Sequence, residues 1–346
     1  MEHSLKVKLD CKAQINLAMQ QNYIPLIRSI RIENQGENAA EKIHIKISFS
    51  PEFAASYEAD IAVIAPEETA EISPVRIIIS PETLSSLTER LEGVISIDVS
   101  CDGETIISDR AEISLLAADQ WLGINIMPEL TAAYITPNHP AVMQIINKAA
   151  HYLMKWNNDP SFTGYQTQDP NAVKLQMAAI YAALQEENIA YTMPPASYEL
   201  TGQRVRMPHS VIEQKCGTCL DLSLLYSACA EAVGLHPLLV FIKGHAFSGC
   251  WLENETFADC ATDDLSSLTK RTAEGISSIC LVECTDFVAG KAVDFDRAVK
   301  HANDNLLDER SFSLAVDIHR CRGNGIRPLP IQDIAVLHRP RESNLP

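Results

Sequence analysis

Apolar and polar residues alternate nearly one for one along the first third of the chain. Leu5, Val7 and Leu9 take turns with polar neighbours. Ile43, Ile45, Ile47 and Phe49 interleave with His44, Lys46 and Ser48, and Ile95, Ile97 and Val99 with Ser96, Asp98 and Ser100. A period of two places one set on a buried sheet face and the other toward water. Asp102-Gly103 follows the third run and marks a tight hairpin, with Ile106, Ile107, Ile113 and Leu115 on the returning strand. Ile24–Ile32, Ile61–Ile64 and Val75–Ile79 are further strand candidates, interrupted by Asn34-Gln35-Gly36, Pro66 and Pro81.

Seven or so short strands over residues 1–118, with no convincing helix, predict an antiparallel β-sandwich of immunoglobulin-like type. No cluster of His, Cys and acids at ligand spacing falls in it, so a scaffold or interaction role is expected, with a partner docking through the sandwich.

From about Asp119 the period lengthens. Ala141–Trp156 reads as a helix with Val142, Ile145, Ile146, Ala149, Leu153 and Trp156 on one face, and Asn171–Glu187 as another. Ser210-x-x-Glu213 has the spacing of a capping box. Cys219–Val233 is the most apolar helix, closed by Gly234. Leu238–Ile242, Ala246–Leu252, Glu255–Asp259, Ile279–Cys284 and Phe312–Ile318 then read as strands. Helices first and an antiparallel sheet afterwards predict an α+β domain over 119–337. The polar, proline-bearing stretch 338–346 reads as a tail or linker.

The chain of 346 residues carries a net charge of −17, about −9 of it before residue 119, so neither half is markedly more acidic. Bulk attraction to nucleic acid or anionic lipid is excluded. No apolar run approaches membrane-span length and the start lacks a signal-peptide pattern, so the cytoplasm is the expected compartment. Half of the ten cysteines fall between Cys216 and Cys260, which in a reducing compartment reads as free thiols.

Candidate chemistry concentrates in Lys215-Cys216-Gly217-Thr218-Cys219-Leu220-Asp221. Gly217 permits a sharp turn, Thr218 can cap, and Cys219 enters the first turn of an apolar helix. Amides and dipole at that end favour a thiolate over the free thiol, whose ordinary pKa is about 8.5. The same amides suit the oxyanion of a tetrahedral intermediate. Downstream, His245 opens a strand, and fourteen residues on, past a turn around Asn254, Asp259 lies on what reads as the neighbouring strand. Residues facing each other there sit about 5 Å apart, close enough for imidazole and carboxylate to meet.

Gly217-Thr218-Cys219 opening a helix, Gly234-Leu235 ending it, then His245-Ala246-Phe247 and Asp259, resemble the transglutaminase-like superfamily with its papain-like Cys-His-Asp core. The resemblance covers about Met193–Asp264. It implies Cys219 as nucleophile, His245 as general base and acid, and Asp259 as the group that orients the imidazole. Phe247 departs from the tryptophan commoner after His-Ala. Gln214, ahead of the nucleophile, resembles the papain-type glutamine that donates to an oxyanion, although the run is one residue shorter here; Gln203 is no better placed. The β-rich front, this core, Asp317-Ile318-His319 and Ile326-Arg327-Pro328-Leu329-Pro330 together resemble the amino-terminal part of large bacterial helicase-like proteins, which implies a longer chain.

Competing readings stay open at this point. Cys219 as a buried small hydrophobe, Cys216-x-x-Cys219 as half of a zinc or redox pair, and Asp263 or Asp264 in place of Asp259 are the alternatives. The favoured expectation is a thiol-dependent hydrolase of an amide or peptide bond, working through a thioester on a protein or peptide substrate. A crosslinking acyl transferase and a non-catalytic binding module that keeps the fold are the alternatives. No metal or organic cofactor is implied.

Overall fold

The computed structural model describes residues 4–330. The expected tail over 338–346 lies outside the described residues. The chain is α+β and divides into two compact units, Met1–Gln120 and the part from Trp121 onward.

The first unit contains two sheets. Strands β1 (Leu5–Cys11), β3 (Ile27–Asn34) and β6 (Thr69–Ile72) form one, in the order β1-β3-β6. Strands β2 (Gln14–Ile15), β4 (Ala40–Ser50), β5 (Tyr57–Ile64), β7 (Leu91–Cys101) and β8 (Glu104–Leu115) form the other, in the order β2-β8-β7-β4-β5. Alternation fixes the register here. Ile45 faces Val99, Ile47 faces Ile97 and Phe49 faces Ile95, all buried, and a slip of one residue would turn them all to solvent. Asp102 and Gly103 both adopt positive φ, 48° and 87°, in the two-residue turn between β7 and β8, as the right-handed twist of the strands requires.

Val75–Ile79 departs from expectation: it forms no strand, only an isolated bridge from Ile79 to Ala54. The ladder beside β3 is occupied by Thr69–Ile72 instead, and Pro74 and Pro81 bracket the remainder. Two short helices also went unpredicted, α1 (Leu17–Gln21) and α2 (Pro81–Ser86). Each is capped by the side chain just before it: Asn16 accepts from the Met19 amide and Ser80 from the Thr83 amide.

In the second unit, β9 (Gln120–Trp121) lies at the border. Helices α3 (Pro140–Asn157) and α4 (Pro170–Gln185) follow, then a run of short elements: β10 (Ala190–Tyr191), α5 (Tyr198–Thr201), β11 (Gln203–Arg204), α6 (Pro208–Gln214) and β12 (Cys216–Gly217). Helix α7 (Cys219–Ala232) comes next, and Gly234 behind it takes φ +80°. The rest is β13 (Pro237–Ile242), β14 (His245–Trp251), β15 (Ala261–Thr262), α8 (Ser266–Thr272), β16 (Ile279–Val282), α9 (Phe295–Asp304), β17 (Phe312–Asp317) and α10 (Ile318–Gly323). Five strands make an antiparallel sheet ordered β15-β17-β13-β14-β16. Ser210 lies inside α6 rather than at its cap, so the expected box there does not form. Among the described residues, no helix is long and apolar enough to cross a membrane.

Helix α7 is apolar on every side and buried from Cys219 to Ala230, the signature of an interior helix. It packs on β13 and β14 and against α3 and α4. Leu220, Leu222, Leu224 and Leu225 each contribute about 1.5–3 kcal/mol by burial. Trp251, at the far end of β14 from His245, is fully buried, and its indole N–H donates to Asp317 Oδ2 at 2.9 Å.

At Gly249, inside β14, a Cβ would stand 2.8 Å from the Cys280 carbonyl oxygen and 3.2 Å from Leu281 Cα. Backbone cannot yield as a side chain does. Gly249→Ala should therefore lower unfolding stability by about 1–3 kcal/mol in urea denaturation; an unchanged midpoint would contradict this packing.

Candidate functional site

Three elements converge on Cys219. It is the first residue of α7, which Thr218 caps in a reciprocal box: the Asp221 amide donates to Thr218 Oγ1 at 3.3 Å, and the Thr218 amide donates to Asp221 Oδ2 at 2.9 Å. The cap predicted by sequence is thus present, and Asp221 completes it. Burial pushes the Asp221 carboxyl up, against the backbone amides of Thr218 and Arg206 and the Arg206 guanidinium that hold it down. The left-handed residue of the turn is Lys215, at φ 52°, not Gly217. The Lys215 ammonium donates to Glu187 Oε2 at 2.5 Å, and Lys148 holds the other carboxylate oxygen. Gly217 serves closeness instead, since a Cβ there would press on Asp221 and Leu222.

Strand β14 supplies His245, whose ring lies close enough to Cys219 to interact with its sulfur. Two serines of α7 hold helix and strand in register. Ser223 Oγ lies 2.7 Å from the Cys219 carbonyl and 3.3 Å from the Ala246 carbonyl, and Ser227 Oγ shares a 2.8 Å hydrogen bond with Ser248 Oγ. His245 Nε2 also bonds Glu283 Oε2 at 2.8 Å. Glu283 is buried directly behind β16. Its Oε2 accepts from Asn305, while Oε1 accepts from the Thr285 amide and hydroxyl. Burial alone would raise the Glu283 carboxyl, yet His245 and Thr285 hold it below the ordinary range. For His245, burial disfavours the imidazolium, but its interactions with Cys219 and Glu283 outweigh it, and its pKa is pushed up to about 10.

The expected carboxylate is displaced. Asp259 is exposed in a bent segment, and residues 255–259 form no strand, because β13 and β16 already flank β14 on both edges. The Phe257 ring packs on Trp251, about 20 Å along the strand from His245 at 3.3 Å per residue. Gln214 is exposed at the end of α6, away from any sulfur contact. Gln203 is the buried glutamine: its Nε2 donates to Thr218 Oγ1 at 3.1 Å. The structure therefore brings together Cys219 and His245 and leaves Asp259 and Gln214 apart from them.

Two tyrosines escaped sequence reasoning. Tyr198 Oη lies 3.2 Å from Cys219 Sγ, and the Tyr191 phenol lies near enough to the same sulfur to feel its charge. Tyr198 is fully buried and Tyr191 is 37% exposed, so with Cys219 at 0% the phenols close the sulfur off from solvent. Burial and the nearby sulfur push both phenols well up, and they remain protonated donors. Glu283 carried one readable sign, an acid set directly after an apolar strand. The tyrosines lie in two short elements with no periodicity to mark them.

The sign of the His245 linkage is fixed by its raised pKa. Its stabilising contribution is complete below pH 6.5 and is lost as pH rises toward 10. The stability gap between wild type and His245→Gln should narrow steadily between those values in urea melts, and a gap that widens would refute the ion pair with Glu283.

No family model matches the chain, and no curated protein matches it. Among solved structures, a Parabacteroides distasonis protein provisionally described as a protease is similar over 63% of this chain and 42% of its own, with 12% identity and a TM-score of 0.23. A family 76 glycoside hydrolase from a bovine Bacteroides thetaiotaomicron strain is similar over 77% of this chain and 59% of its own, with 10% identity and a TM-score of 0.15. The chain spans less than two thirds of either protein, and at these scores neither likeness bears on activity.

Proposed function

We propose that the second unit is a thiol-dependent hydrolase of amide or peptide bonds, of the transglutaminase-like kind, with Cys219 as nucleophile and His245 as general base and acid. Glu283 takes the orienting role expected of Asp259. The observation that carries this reading is the convergence of Cys219, His245 and Glu283: the imidazole lies within electrostatic reach of the sulfur and is hydrogen-bonded at 2.8 Å to the buried carboxylate, at the mouth of a capped helix. Nucleophile, base and orienting acceptor stand in the order that thiol catalysis requires. An imidazolium at neutral pH beside the sulfur is the general acid that the leaving nitrogen needs.

The thiolate attacks the carbonyl carbon, the C–S bond forms, and the carbonyl π pair moves to oxygen. Collapse breaks the C–N bond as His245 gives its proton to the leaving nitrogen. Water then cleaves the thioester, with His245 accepting the proton, and the thiolate returns. An amine in place of water gives transfer. The first unit, read as an immunoglobulin-like sandwich, would serve as a scaffold or docking module.

A second reading, a binding module that retains the core without turnover, is favoured by one observation: the complete burial of Cys219. Mapping iodoacetamide adducts at pH 7 separates the two. The hydrolase reading expects Cys219 to be labelled before the other nine thiols, and labelling no faster than theirs supports the binding module. Glu283→Gln should slow the Cys219 reaction about tenfold or more, as loss of the orienting charge does in such triads, whereas Asp259→Asn should leave it unchanged. The reverse pattern would restore Asp259 to the site.

A further inference from the structure

We infer that Tyr198 is a catalytic residue, donating its phenolic hydrogen to the oxyanion that forms when Cys219 attacks a carbonyl. The inference rests on the proposed nucleophile and goes beyond it, since the expected donor, Gln214, stands exposed at the end of α6 and Gln203 Nε2 is tethered to Thr218 Oγ1 at 3.1 Å, whereas Tyr198 Oη is the side-chain oxygen 3.2 Å from the sulfur.

Position is the first argument. An oxyanion donor must lie 2.7–3.1 Å from the oxygen of the tetrahedral intermediate. That oxygen sits on the carbon bonded to Sγ and hence within about 3 Å of the sulfur. A hydroxyl 3.2 Å from Sγ meets the distance with little movement. Before attack the O–H points at the thiolate. As charge passes from sulfur to the carbonyl oxygen, rotation about the phenolic C–O bond redirects the hydrogen, while the ring stays in place. No proton is transferred to the oxyanion: the hydrogen bond holds it until the C–N bond breaks and the π bond reforms.

Rigidity is the second. Donors stabilise a transition state in proportion to how little they reorganise. The Tyr198 ring packs on Trp121, with centroids 6.3 Å apart. Trp121 stacks at 5.5 Å on the buried Phe241 of β13 and donates its indole N–H to Thr131 Oγ1. Tyr198 thus stands on the sheet core. Tyr191, partly in solvent on the two-residue strand β10, is the phenol a substrate would displace. Tyr198 is the one that remains.

The third argument is chemical. Tyr198 lies 3.2 Å from the sulfur yet cannot act as its base, because burial holds the phenol protonated and the proposed base is His245. A buried, permanently protonated donor directed at the reacting atom fits charge stabilisation and nothing else in the cycle.

Two reagents separate this role from a mere cover. Iodoacetamide alkylates sulfur without forming an oxyanion, whereas acylation by p-nitrophenyl acetate passes through one. Tyr198→Phe should slow acylation of Cys219 by about 10²–10³-fold and change its alkylation far less. Both rates falling together, both rising together, or acylation unchanged would each overturn the inference. A comparison within the wild type keeps the test independent of how the variant folds. Replacing the ester carbonyl oxygen by sulfur weakens the accepted hydrogen bond, so it should slow the protein more than it slows a small free thiol; equal slowing overturns the inference. Failure of Cys219 to outpace the other nine thiols with iodoacetamide removes the nucleophile itself, whereas fast alkylation with unaltered acylation in Tyr198→Phe removes only the role of Tyr198.

Discussion

Where α7 lies along β14, the contact is made by hydroxyls as well as by leucines. Ser223 reaches both the Cys219 and the Ala246 carbonyls, and Ser227 meets Ser248. Leucine packing is non-directional and would tolerate a slide of helix over strand. Buried hydroxyls are more directional: a shift of one position breaks the Ser223–Ala246 and Ser227–Ser248 contacts across the two elements, at about 0.5–1.5 kcal/mol each. This pair of contacts fixes the register of the helix that begins with Cys219 against the strand that begins with His245, and the site geometry follows from it.

Around that register the unit places buried carboxylates at the points where backbone direction changes. Asp221 closes the turn into α7, Glu187 clamps Lys215 ahead of it, Asp317 joins Trp251 to the start of α10, and Glu283 ends β16 beside His245. Buried acids persist only when paired or amply hydrogen-bonded. Each of these has several donors, so each reads as a fastener between elements. Glu283 differs in one respect: its partner is a titratable ring at the mouth of a helix.

The first unit was legible because alternation is a strong signal. Ile43 to Phe49 and Ile95 to Val99 place their side chains as written, and Asp102-Gly103 turns between strands. The error at Val75–Ile79 is one of competition: the segment has a suitable pattern, but Thr69–Ile72 claims the only free ladder beside β3. In the second unit, Thr218, Cys219 and Gly234 could be read because caps and terminal glycines are local chemistry. Asp259 could not, because sequence proximity stood in for strand adjacency. Asp259 is fourteen positions from His245 and Glu283 is 38, and only the sheet order β14-β16 reveals that the distant one is the neighbour.

The phenolic roof over Cys219 has a kinetic meaning. If only the open form meets reagent or substrate, every observed rate is the intrinsic rate multiplied by the open fraction, and about 1.4 kcal/mol of closing preference removes a factor of ten. Whatever lifts Tyr191 from the sulfur, whether a bound chain or an altered side chain, then acts as a throttle on the chemistry without touching the reacting groups. A protein built this way keeps its sulfur, in the closed form, shielded from oxidants and stray electrophiles.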